Sequence, residues 1–237
     1  YYLNAERIGP RINQPLQFFD YPNAGWQGET TAQLIGLENG YHKIDDERRF
    51  GQTQSNYIID QVNNWLDFIM KGVKIKVETS PNTLTSQILI ENQYTVSDPT
   101  LSTNLGFGIS YILPILATGL IAKKGSFIII ENPEAHLHPS AQSRIGRFLA
   151  MVASNDVNVI IETHSDHLLN GIQLAVAEKK IDYNDVTINF FQHTVDSLQP
   201  EVHPITITSN GELSDWPSGF FDQTQIDFAE LFNLRKG

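Results

Sequence analysis

The chain of 237 residues contains no cysteine, which excludes disulfides and thiolate zinc sites and is compatible with a reducing cytoplasm. No apolar run approaches the roughly 20 residues that a membrane-spanning helix requires. The longest, Ile109 to Ala122, is interrupted by Pro114 and Gly119 and reads as a buried helix, so no membrane partner is expected. Basic side chains are scarce: 16 Lys and Arg stand against 27 Asp and Glu, a formal charge of −11 that argues against a broad nucleic-acid-binding face. There is no internal repeat, no low-complexity tract and no acidic cluster of the topoisomerase-primase nuclease kind. The Gly-x-x-x-x-Gly-Lys-Ser/Thr loop is missing as well; Lys123-Lys-Gly125 lacks both its spacing and its hydroxyl. What remains, 41% hydrophobic and 18% charged, is an ordinary globular composition.

Four regions follow one another. Residues 1–55 open with a strand at Tyr1 to Ala5 and continue as a Gly- and Asn-rich loop region with a short helix near Thr31 to Leu37. Tyr1 is not an initiator methionine, no signal-peptide pattern follows it, and the chain is expected to begin in mid-domain. Residues 56–95 hold an amphipathic helix, with Ile58, Ile59, Val62, Trp65, Leu66 and Ile69 at helical spacing. Strands at Val73 to Val77 and Gln87 to Ile90 follow, so this region reads as a small helix-and-hairpin lobe. Residues 96–185 alternate helix (Gly108 to Ala122), strand (Ser126 to Glu131), helix (Pro139 to Ala153), strand (Val157 to Glu162) and helix (Ser165 to Ala177). That order predicts an α/β fold with a mostly parallel sheet, whose ligands gather at the carboxyl ends of the strands. The continuous apolar runs Phe127-Ile-Ile-Ile130 and Val159-Ile-Ile161 predict a sheet covered on both faces. Residues 186–237 add strands Val186 to Gln192 and Val202 to Thr206, a turn at Ser209-Asn-Gly211 and the segment Trp216-Pro-Ser-Gly-Phe-Phe-Asp222.

Three constellations could carry chemistry. Glu131 ends a buried strand and opens Glu-Asn-Pro-Glu-Ala-His-Leu-His-Pro139; a carboxylate so placed can hold Mg²⁺ beside a nucleotide through the metal's water shell. The plainer reading is a polar turn that caps the helix at Pro139. Glu162-Thr-His-Ser-Asp-His167 ends the next strand, and two adjacent strand ends bearing polar groups suggest one shared site. Asn104-Leu-Gly-Phe-Gly-Ile-Ser110 precedes an apolar helix, where glycines expose N–H groups that suit a phosphate; simple turn glycines are the alternative.

Taken in order, these motifs resemble the second half of an ATP-binding-cassette ATPase of the soluble kind that includes RecF-like, SMC-like and overcoming-lysogenisation-defect proteins. More closely, the chain is similar to a prokaryotic "AAA family" branch with Glu-Asn-Pro-Glu-Ala-His-Leu-His-Pro at the Walker B position. That branch also carries an Asn-x-Gly-Phe-Gly-x-Ser signature and a C-terminal Trp-Pro-x-Gly-Phe-Phe-Asp element. Ala5-Glu-Arg-Ile-Gly-Pro10 and Gly25-x-x-Gly-Glu29 extend the likeness.

The resemblance implies a P-loop NTPase fold, ATP and Mg²⁺ as cofactors, and a homodimer that sandwiches nucleotide. Glu131 would be the Walker B carboxylate on Mg²⁺ and His164 the switch histidine sensing the γ-phosphate. Asn104 and Gly106, with Gly108 beside them, would contact the nucleotide of the opposite subunit. Ala135 to Pro139, including His138, would form the D-loop at the dimer interface. The Walker A half is expected upstream of Tyr1. Relatives of this group act in DNA repair and phage defence, so a nuclease or DNA-processing partner is an expectation by analogy.

Two positions depart from the pattern. Asn132 stands where a water-polarising glutamate is usual, so hydrolysis is expected to be slow, with Asn132 orienting water or Glu134 serving as base; His138 replaces a common aspartate. Asn132 also keeps open a non-hydrolysing module in which ATP only glues subunits together. A further alternative is a metal-dependent hydrolase built from His136, His138, His164, Asp166 and His167, after a His-x-His-x-Asp-His pattern whose first histidine is here Glu162.

Overall fold

Strand β6 (Phe127–Glu131) is the centre of a three-stranded parallel sheet, between β1 (Tyr2–Leu3) and β7 (Asn158–Glu162). This computed structural model describes residues 1–237 except 19, 52, 93–98, 102, 104–105, 193–198 and 236–237. Register pairs Tyr2 with Ile129, and then Ile129 with Ile160 and Glu131 with Glu162. Leu3, Ile128 and Ile130 are buried on one face. Their cover includes α3 (Phe107–Ile121), apolar on every side and buried from Ile112 to Leu120. Such a helix belongs in a core rather than at a surface. Pro114 lies inside α3 without ending it, its ring lying against Gly28.

The opposite face corrects the expectation of a sheet covered on both sides. Phe127, Ile129 and Ile160 are 57%, 40% and 51% exposed, beside Tyr2 at 40%. Helices α3, α4 (Pro139–Ala153) and α2 (Ile58–Ile69) pack with one another, and α3 and α4 meet the sheet. An uninterrupted apolar strand reads the same whether its second face meets another layer or solvent.

Two compact units divide the chain, Tyr1–Gly171 and Ile172–Gly237. In the first, α2 turns Ile58, Val62, Trp65, Leu66 and Ile69 inward, and Trp65 meets Phe148 of α4 edge-on with ring centroids 5.0 Å apart. The antiparallel hairpin β3 (Val73–Ser80) and β4 (Thr85–Asn92) is pinned to α2 by Asn63, whose side chain bonds both the N–H and the carbonyl of Ile75 at 2.7 and 3.1 Å. Strands β2 (Gln14–Pro15) and β5 (Thr100–Leu101) pair with β4, and the short helix α1 (Thr31–Ile35) packs on α3. Helix α5 (Asp166–Ala177) crosses the unit boundary, and a Cβ on its Gly171 would sit 1.9 Å from the Ser143 carbonyl oxygen of α4. The second unit holds an antiparallel pair, β8 (Thr187–Gln192) and β9 (Glu201–Thr206), the turn near Gly211, and an aromatic group of Phe190, Trp216 and Phe220. It also holds α6 (Gln223–Leu234), none of whose residues is buried. No helix among the described residues is long and apolar enough to cross a membrane.

Candidate functional site

Parallel register carries Glu131 and Glu162 to the same end of the sheet, side by side, on the face where Phe127, Ile129 and Ile160 are exposed. Glu131 is held from β1 and the turn after it: the Tyr2 hydroxyl donates to its Oε1 at 2.8 Å and the Ala5 N–H to its Oε2 at 3.1 Å. That acceptance raises the Tyr2 phenol above its ordinary range, since ionising it would set two negative charges in contact.

Past Glu131 the chain leaves the strand abruptly. Asn132 adopts φ 43°, in the left-handed region, while its N–H continues the ladder to the Glu162 carbonyl at 2.9 Å. Glu134 then reaches the loop after β7: its Oε2 accepts from the Thr163 hydroxyl and its Oε1 from the His164 N–H, each at 2.8 Å. One carboxylate therefore staples the two strand-end loops together. His164 itself is exposed, with Nε2 3.0 Å from Glu162 Oε1. Below the loops, Ser165 donates to Gln142 Oε1 at 2.6 Å and accepts the Leu168 N–H at 3.1 Å, which starts α5.

The sequence pattern did not single out Arg7 for a role. It is 2% exposed, and its guanidinium donates to the carbonyls of Asn4, Glu131 and Asn132 at 3.0, 2.8 and 2.6 Å. It also lies 5.0 Å from the centre of the Tyr111 ring. Burial draws its pKa down to about 10, against the upward pull of Tyr111, Glu134 and Glu131, so it stays charged at neutral pH. The only sequence signal was the Ala5 to Pro10 stretch as a whole.

The two glycines of Gly106-Phe-Gly108 sit differently. Gly106 is the exposed N-cap of α3, and a Cβ there would meet nothing within 4 Å among the described residues. Gly108 is buried instead, its missing Cβ 2.9 Å from the His136 carbonyl oxygen, so it lets α3 approach the loop before α4. Asn104 lies outside the described residues. His138 is the N-cap of α4, its Nδ1 accepting the Ser140 N–H at 3.3 Å. This bears out the plainer reading of that turn as a helix cap, and Pro139 occupies the first helical position.

The metal-hydrolase alternative is not assembled. Among the described residues no three His, Asp or Glu side chains converge as a metal would require. His136 meets Tyr111 edge-on with centroids 4.6 Å apart, His138 caps α4, His164 meets Glu162, and Asp166 pairs with its neighbour His167. Each imidazole is drawn to a local partner, and the five never share a centre.

An octahedral Mg²⁺ asks less of the protein, one or two carboxylates with water and phosphate completing the shell. The side-by-side ends of β6 and β7 meet that requirement with Glu131 and, next to it, Glu162. A triphosphate asks for cations as well. Arg7, the cation bonded to the backbone of this loop, is turned inward onto main-chain carbonyls.

Comparison with known proteins gives two family matches. Residues 2–170 match the family described as "AAA domain, putative AbiEii toxin, Type IV TA system", and residues 181–231 match one described as a protein of unknown function (DUF3696). No curated protein matches the chain. Solved structures similar to it include an SMC ATPase from work on ATP-driven dimerization and DNA-stimulated activation, at 11% identity and TM-score 0.45, covering 62% of this chain and 83% of that one. An SMC head bound to the C-winged helix domain of ScpA aligns at 11% identity and TM-score 0.46, over 75% of this chain and 53% of its own. The SMC head with coiled coil and joint from Pyrococcus yayanosii gives 11% and 0.44, over 65% and 27%.

Proposed function

The chain belongs, through residues 2–170, to this AAA-domain family of ATP-binding ATPases with a P-loop NTPase fold, and from that premise we propose that it forms the Walker B, signature and switch half of an ATP-Mg²⁺ site closed by a second copy. One observation carries the reading: the ends of β6 and β7 lie in register, and Glu134 ties the loop that follows Glu131 to the loop that bears His164.

In this reading Glu131 holds Mg²⁺, which supplies charge neutralisation at the phosphates. His164 addresses the γ-phosphate, oriented by Glu162 on its ring and by Glu134 on its N–H. Asn104 and Gly106 of the second copy meet the same nucleotide, Gly106 offering an exposed helix N-terminus. Ala135 to Pro139, with Gly108 packed beneath and His138 capping α4, lines the interface between copies. Asn132 can orient water but its amide cannot take a proton; with Glu131 on Mg²⁺, Glu134 is the next carboxylate in sequence that could. A general base typically contributes about 10²–10⁴ in rate, so turnover is slow. Closure of the dimer is the mechanical output. The broader resemblance favours a cytoplasmic role in defence or DNA processing, beside a nuclease or similar partner.

The test is steady-state phosphate release by the full-length protein. Glu131→Gln should abolish turnover while nucleotide still binds. Turnover at the wild-type rate in Glu131→Gln would overturn the site. A non-hydrolysing module, favoured only by Asn132, would show ATP-dependent dimers and no phosphate release in the unaltered protein.

A further inference from the structure

We infer that Arg7 is a positioning residue, which sets the peptide between Glu131 and Asn132 and couples it to the N-terminal turn of α3. Within an extended strand, successive carbonyls point to opposite sides. Here the carbonyls of Glu131 and Asn132 both meet one guanidinium, at 2.8 and 2.6 Å, because Asn132 is left-handed at φ 43°. The N–H of Asn132 remains on β7 while its carbonyl swings toward β1. Arg7 is thus the group that receives the reversed carbonyl, and the reversal aims the chain from Glu131 toward Glu134.

The side chain must be an arginine. Its planar fork reaches three carbonyls with two nitrogens, which a lysine ammonium, a compact point charge, does not reproduce. Its guanidinium carbon also lies over the Tyr111 ring of α3, and Tyr111 is edge-on to His136, whose ring is 5.3 Å from Phe107. Phe107 is the first residue of α3 after its cap Gly106. A continuous set of contacts therefore runs from the end of β6, through Arg7 and Tyr111, to the turn that carries Gly106. It gives a physical route by which the metal-side carboxylate of one subunit and the signature turn serving the other could move together. This inference rests on the site proposed above for its catalytic consequence, though not for its structural one.

Two measurements on the full-length protein separate the two. In Arg7→Met and Arg7→Lys, amide hydrogen exchange in the peptide spanning residues 131–136 should accelerate at least about tenfold, while exchange in α2 stays as in the unaltered protein. For catalysis, kcat should fall by about 10²-fold in Arg7→Met, as expected for a misplacement near 1 Å, with KM for ATP moving less than about threefold. Arg7→Lys, which keeps the charge and guards against simple misfolding, should recover no more than about a tenth of the lost rate. Unchanged exchange at 131–136 overturns the inference, as does a loss of kcat that Arg7→Lys restores in full. Should Glu131→Gln retain turnover while exchange still accelerates in Arg7→Met, the proposed site fails and the positioning role stands.

Discussion

Replacing Gly106 by aspartate should push stability and activity in opposite directions. Gly106 caps α3 with φ −64° and ψ 157°, a conformation open to any residue, and an added Cβ meets nothing within 4 Å among the described residues. Aspartate is among the best N-caps, better than glycine by a few tenths of a kcal/mol, and its charge at a helix N-terminus adds about 0.3–1 kcal/mol. The fold should therefore gain about 0.5–1 kcal/mol, which for a chain of this size raises Tm by roughly 1–4 °C. If the same turn faces the triphosphate of a partner subunit, the new carboxylate opposes it. Two unit charges 4 Å apart at an effective dielectric of 20 repel by about 4 kcal/mol, close to 10³-fold in rate. Thermal melts without nucleotide and phosphate release with it, on the same preparation, read both effects. A lowered Tm would refute the capping geometry, and an unchanged kcat would refute the approach of Gly106 to nucleotide.

Three further outcomes follow from the same geometry. Glu131→Gln and Gly106→Asp, each inactive alone, should recover about a quarter of wild-type turnover when mixed equally, since half the dimers are mixed and each of those has one intact site in two; no recovery would exclude sites shared between copies. Glu134→Ala removes the acceptor of two hydrogen bonds and should lower unfolding free energy by about 2–3 kcal/mol in urea, against about 1 for Glu134→Gln, whose amide oxygen can still accept one of the two; a cost below about 0.5 kcal/mol for Glu134→Ala would show that the staple contributes nothing. Gly171→Ala sets a methyl against the Ser143 carbonyl, backbone that no rotamer change can move, and should cost about 2–3 kcal/mol, or roughly 5–10 °C in Tm; an unaltered Tm would mean that α5 and α4 can part freely.

Where residues repeat at a strong period, the sequence sufficed. Helix α4 runs over Pro139–Ala153 as expected from its apolar spacing and its Pro start, and β6 and β7 differ from expectation by a single residue at their first position. The hairpin was legible only in its apolar part: β3 continues through Glu78, Thr79 and Ser80, whose polar side chains give no alternation to read, held by pairing with Thr85, Ser86 and Gln87. At the site, adjacency of the two strand ends was legible from the alternation of strand and helix. Its wiring was not. That Glu134 bonds the loop of β7 depends on where a turn ends in space, and Gly106 and Gly108 look alike until a carbonyl is found beneath one of them. Arg7 is a lone arginine in a turn, and two of its three partners are main-chain carbonyls 124 and 125 residues away, which carry no side-chain signature at all.

The sheet's exposed face ties the proposed nucleotide site to the packing. Tyr2, Phe127, Ile129 and Ile160 form an apolar surface, and at its carboxyl end stand Glu131 and Glu162 on the same side. Parallel strands are ordinarily covered on both faces, and an apolar patch rimmed by charge marks a place where something binds. The local charge there is acidic, which suits a divalent cation and repels bare phosphate. An element that brought a lysine and a nest of backbone N–H groups to this rim would supply the cations that Arg7, turned inward, cannot. By laying its own apolar side on Phe127, Ile129 and Ile160 it would also close the second face of the sheet. One covering element thus meets two separate needs, hydrophobic and electrostatic, at one end of one sheet. That coincidence gives a physical reason to look for the phosphate loop on this face rather than beside α3, where Gly108 and Tyr111 are already packed against the chain itself.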